Sequence, residues 1–132
     1  MKLIREINDN NQIKTFRDCE KYLKEFEEED REFFIVLGLD TKNKILYRDV
    51  VTIGTLNSSL VDVRGTFKTA ILRSANSIII AHNHPSGCNI PSEEDKKVFR
   101  ELKKAGKLLG IKVIDSLIIT KNNLNSLDLE EE

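Results

Sequence analysis

Hydrophobic positions along the chain follow two periods. Phe16, Cys19, Tyr22, Leu23 and Phe26 recur three and four residues apart, the spacing of one helical face, and predict an amphipathic helix that runs into the acidic stretch Glu27, Glu28, Glu29, Asp30. Residues 33–39, FFIVLGL, form a continuous apolar run of strand length, and the turn formers Asp40, Thr41, Lys42 and Asn43 follow it. A hairpin into a second strand near 44–53 is therefore expected, ending at Gly54, with a polar loop over Thr55 to Ser59. Val63, Phe67, Ala70, Ile71 and Ala75 predict the next helix, despite Gly65 near its start. Residues 78–81, IIIA, suit a central strand covered on both faces. After a turning segment over 82–91, residues 92–109 place Val98, Phe99, Leu102, Ala105, Leu108 and Leu109 on one side of a long helix and lysines on the other, with Gly110 at the C-terminal cap. A last strand is expected over 111–119, followed by a tail over 121–132 whose end frays.

This order of helix, strand, strand, helix, strand, helix, strand predicts an α/β fold: a three-layer α/β/α sandwich with a mixed sheet. The 132 residues leave room for one domain, with residues 1–30 as an N-terminal extension and helix packed on a domain spanning 31–120. Hydrophobic residues at 39% and charged residues at 33% exclude a disordered chain and an integral membrane helix bundle. The first residues, MKLIREINDNNQIK, lack an apolar signal region, so a cytoplasmic location without membrane attachment is expected. Cys19 and Cys88 lie 69 positions apart, which excludes both a disulfide framework and a four-cysteine zinc site.

The candidate chemistry sits after the buried apolar run, in AHNHPSGCNIPSEED. In an extended segment His82 and His84 point to one side and Asn83 to the other, so two imidazoles can share a metal. Pro85, Ser86, Gly87 and Pro91 make the next residues a turning loop that delivers Asp95 in the first turn of the following helix, where it can fold back as a third ligand. Two histidines and a carboxylate suit Zn²⁺ and leave a fourth position for water, whose pKa zinc lowers towards about 7. The ordinary alternatives are a surface role for a lone strand-end histidine and a capping box for Ser92 and Asp95. Cys88 is a soft donor nearby, but a lone loop cysteine is more often no ligand.

His-x-His-Pro, seven residues, then Ser-x-x-Asp resembles the JAMM motif of the JAB1/MPN metalloprotease superfamily, and the phrases HNHPSG, PS-x-x-D and AGKLLGI resemble its RadC-like branch. The similarity runs from about Glu32 to Thr120. It implies a JAB1/MPN fold of the cytidine-deaminase-like type, zinc held by His82, His84 and Asp95, and Ser92 as the serine that helps hold the oxyanion. It also places Glu32, at the start of an early strand, as the catalytic glutamate; otherwise Glu32 is one more member of an acidic run. The chain departs from the RadC-like pattern at Asp115-Ser116, where Asp-His is usual, and at Cys88. Full-length RadC-like proteins tend to carry an N-terminal helix-hairpin-helix region, for which these 132 residues are expected to leave no room. Deamination is disfavoured, because H-x-E and P-C-x-x-C are both missing.

Two function classes follow. The first is a zinc hydrolase in which Glu32 deprotonates a metal-bound water that attacks a peptide or isopeptide carbonyl, making the partner a peptide or protein substrate. The second is a DNA-repair-associated module that binds DNA or a protein with little catalysis. It draws on Lys96, Lys97, Arg100, Lys103, Lys104, Lys107 and Lys112, seven basic residues against the single acid Glu101. With a net charge of −1 and no aromatic residues interleaved among the lysines on their side of the helix for stacking, a solvated helix face is the simpler account of those lysines. A metal-dependent nuclease using the same site is a third possibility.

Overall fold

The computed structural model describes residues 3–54 and 62–128. The loop expected over Thr55 to Ser59 and the frayed end at Glu130 to Glu132 lie outside the described residues. A six-stranded mixed sheet organises the chain: β1 (Ile4–Glu6), β2 (Phe33–Leu39), β3 (Ile45–Ile53), β4 (Ser77–Asn83), β5 (Lys112–Thr120) and β6 (Asn123–Ser126) stand in the order β1-β3-β2-β4-β5-β6. Among the described residues only β4 and β5 run parallel, joined by the crossover helix α3 (Glu93–Leu109); every other described pair is antiparallel.

Strand alternation divides the core into the two halves expected of three layers. Phe33, Ile35, Leu37, Leu39, Ile79, Ala81, Leu117 and Ile119 pack with the N-terminal helical segment. Phe34, Val36, Tyr47, Ile78, Ile80 and Ile118 pack with α2 (Val63–Leu72) and α3. β2 and β4 are buried at every position, which explains why their sequences are continuous rather than alternating.

Three local differences from the sequence reading have physical causes. The segment from Phe16 is not one helix but a 3-10 turn Phe16–Cys19, a single α turn α1 (Glu20–Leu23) and a second 3-10 turn Lys24–Phe26. Its apolar face still packs on the sheet, and so short a piece draws its stability from that contact and from the buried Arg48, which pairs with Glu25 and donates to the Tyr22 carbonyl. β1 and β6 were not foreseen, since IRE and NLNS are too short and polar to signal strands alone; they form by pairing with β3 and β5. β4 also runs two residues past its apolar core, taking His82 and Asn83 into the strand. Gly110 does close α3, with a left-handed φ of 74°.

Candidate metal centre

Each element delivers its side chain for a local reason. β4 carries His82 at its end, paired with β2 through Phe34↔His82 and with β5 through His82↔Ile118. The chain then turns through Gly87, whose φ is 82° and whose N–H donates to the His84 carbonyl at 3.0 Å. Asn125 of β6 pins this loop by donating from Nδ2 to the Asn89 carbonyl at 2.8 Å. The loop leads to Ser92, the N-cap of α3: its Oγ accepts from the Asp95 N–H at 3.1 Å, and its own N–H donates to Asp95 Oδ2 at 2.7 Å. The capping box is therefore real, and it is also what aims Asp95 at the histidines.

His82 Nε2, His84 Nε2 and the Asp95 carboxylate lie within 4.8 Å of one another. His82 Nε2 is 3.1 Å from His84 Nε2 and 2.8 Å from Asp95 Oδ1, and His84 Nε2 is 3.2 Å from Asp95 Oδ2. Two ligands bound tetrahedrally to zinc at about 2.0–2.1 Å stand about 3.3 Å apart, so these spacings fit one ion with little rearrangement. His84 Nδ1 lies 2.7 Å from the Cys88 carbonyl, which holds the ring by its far nitrogen and leaves Nε2 facing Asp95, where it could bind a metal. The donor set is nitrogen, nitrogen and oxygen, with room for a fourth ligand from the cleft, as in catalytic zinc sites. Cys88 contributes its backbone carbonyl; its thiol is exposed and outside the ligand group.

The three groups are electrostatically coupled. Burial pushes the Asp95 carboxyl up, but hydrogen bonds from His82 and His84, with the Ser92 N–H, outweigh it and hold the acid well below the usual carboxylate range. The hydrogen bond to Asp95 raises the His84 pKa, against its burial, and the Cys88 carbonyl and the Glu32 charge act in the same direction. The α3 N-terminus adds a favourable dipole for the Asp95 anion.

A cleft of about 650 Å³ opens over these groups, lined among others by Glu32, His82, His84, Ser92 and Asp95. The five residues singled out from the sequence thus line one space, although Glu32 lies fifty residues before His82 in the chain. Glu32 stands half-buried just before β2, and its carbonyl accepts from the Gly54 N–H at 2.7 Å.

One residue escaped the sequence reading. Asn83 is fully buried; its Oδ1 accepts from the Phe33 N–H at 2.6 Å, and its Nδ2 donates to the Arg31 carbonyl at 2.8 Å. A polar amide at the end of an otherwise apolar strand was the available signal. The basic residues of α3 stay on the outside, with Lys97, Arg100, Lys104 and Lys107 exposed and Lys103 over the Phe99 ring at 4.2 Å. Among the described residues no helix is long and apolar enough to cross a membrane.

Comparison with known proteins agrees with this geometry. The family described as RadC-like JAB domain matches residues 13–132. A UPF0758 protein of Desulforamulus reducens is 48% identical over 109 residues, 83% of this chain and 48% of that protein. A UPF0758 protein of Chlorobaculum tepidum is 48% identical over 117 residues, 88% of this chain and 53% of that protein. One of Bacillus cereus is 42% identical over 123 residues, 92% of this chain and 55% of that protein. The chain spans about half the length of these relatives. With nearly all of its length matched and the His-His-Asp cluster formed at the end of β4, the chain belongs to the RadC-like JAB domain family.

Proposed function

We propose that this chain is a zinc-dependent hydrolase of the JAMM type that cleaves a peptide or isopeptide bond. The observation that carries the reading is the convergence of three ligand atoms with Glu32, which precedes β2, and Ser92 on one cleft. His82, His84 and Asp95 would hold the zinc. When bound, zinc supplies a Lewis acid that activates water near neutral pH and polarises a carbonyl. Glu32 takes the proton that the attacking water loses and passes it to the leaving amine. Ser92 Oγ accepts the Asp95 N–H with a lone pair, which leaves its hydroxyl hydrogen to donate to the developing oxyanion. Asp95 stays anionic, and the Cys88 carbonyl keeps the His84 ring in the ligating orientation.

The test is zinc stoichiometry by elemental analysis on protein purified without a metal-binding tag, followed by a screen of peptide and isopeptide substrates. The reading expects near one zinc per chain, little in His84→Ala or Asp95→Ala, and loss of cleavage in Glu32→Gln with zinc retained. Wild-type protein that takes up no zinc even when supplied with it would overturn the reading. The exposed Lys97, Arg100, Lys104 and Lys107 support a second reading, a module recruiting a polyanion or acidic protein. Binding of that kind would weaken steeply with salt and survive a chelator.

A further inference from the structure

The β2–β4 ladder ends at Phe34↔His82, and one residue further on a side chain takes over the pairing. The Asn83 carboxamide accepts from the Phe33 N–H at 2.6 Å and donates to the Arg31 carbonyl at 2.8 Å. These are the backbone groups immediately after and before Glu32. From the other side, the Gly54 N–H holds the carbonyl of Glu32 itself at 2.7 Å. The backbone around Glu32 is thus tied at three points, two of them to one side chain that is itself 1% exposed.

We propose that Asn83 is a positioning residue that sets where the Glu32 carboxylate stands relative to the His82–His84–Asp95 site. The inference rests on the reading of Glu32 as the proton-transfer group. Asn83 lies between the two histidines, so a single strand end carries two ligands on one side and the Glu32 clamp on the other. The spacing between base and metal is thereby set by one rigid residue instead of by loop packing. The chemistry of the clamp requires a carboxamide, because one end must accept from an N–H while the other donates to a carbonyl. Aspartate lacks the donor, and leucine or alanine lacks both groups. The buried Phe33 N–H and the part-buried Arg31 carbonyl would then be left without these partners.

The experiment uses the full chain loaded with cobalt(II), with the metal alone as probe, and follows the visible cobalt band across pH. A charge near the ligands shifts the pH at which they exchange protons for metal, as the Glu32 charge does for His84, so the band's pH midpoint responds to where the Glu32 carboxylate stands. Glu32→Gln is expected to displace the midpoint. Asn83→Ala is expected to displace it in the same direction by most of that amount, and the double variant to match Glu32→Gln alone. Asn83→Ser, which keeps a buried hydroxyl too short to bridge both groups, serves equally if the alanine variant is too unstable to load. A purely structural role would weaken cobalt binding, typically by about 10–100-fold for a group supporting ligands, and leave the midpoint of loaded protein in place. That outcome, or additive displacements in the double variant, overturns the positioning role while leaving the hydrolase reading intact. Failure of wild-type protein to bind cobalt, or a midpoint unmoved by Glu32→Gln, overturns the hydrolase reading first and the positioning role with it.

Discussion

Replacing Gly38 with alanine probes the strand that carries Glu32 into the cleft. Gly38 pairs with Tyr47 of β3 on one side and Ile78 of β4 on the other, in the middle of the sheet. A methyl built there would stand 2.7 Å from Tyr47 Cδ2 and closer still to Cε2 and Cζ, where real contacts are not found below 3.0 Å. The φ of Gly38 is not positive, so the cost is purely steric. Tyr47 has nowhere to go: it is fully buried in the layer that includes Phe34, Phe67 and Phe99. Overpacking of this kind costs about 1–3 kcal/mol, and a ring with no free space places Gly38→Ala at the upper end, about 3 kcal/mol. Urea unfolding should show a midpoint lower by about 1–2 M at unchanged slope. Tyr47→Leu makes room for the methyl, so in that background Gly38→Ala should cost at least about 1 kcal/mol less, a coupling of the size found for residues in contact. Tyr47→Phe removes a buried hydroxyl that has no hydrogen-bond partner among the described residues and should be neutral or mildly stabilising. A loss below about 1 kcal/mol for Gly38→Ala, or an equal loss with and without Tyr47, would refute the reasoning.

Three further predictions concern the site. Ser92→Ala should cost about 1 kcal/mol by removing the α3 N-cap, and Ser92→Gly only a few tenths, measured by thermal unfolding; equal losses would sever Ser92 from the capping role. In metal-free protein the His84 pKa is raised, so its contribution to stability is complete below its unfolded value near 6.5 and is lost as pH rises through the folded value. The Asp95 pKa is lowered, so its contribution is complete above about 3.9 and is lost as pH falls. The stability difference between chelated wild type and Asp95→Asn should therefore be largest between about pH 4 and 6.5, and a difference flat across pH 3–9 by calorimetry would contradict the pairing. Zinc uptake should run the other way, strengthening as pH rises through this range, because the imidazoles must lose their protons to bind metal.

Much of this protein is decided locally and is therefore legible in its residues. Continuous apolar runs at 33–39 and 78–81 announce strands covered on both faces, because burial of both faces removes the need for alternation. Ser92, Asp95 and Gly110 mark both ends of α3 through short-range hydrogen bonding and a left-handed cap. His82 and His84 share a face because a strand repeats every two residues. The tertiary structure decided what depends on distant partners. β1 and β6 exist only by pairing, and the segment at 16–26 breaks into turns because sheet contacts, not helical hydrogen bonds, hold it. Composition could not single out Glu32 among 22 acids; antiparallel pairing of β2 with β4 brings it to the histidines. The partners of Asn83 were not legible in the sequence for the same reason: a carboxamide declares no partner until two strand ends, fifty residues apart, lie side by side.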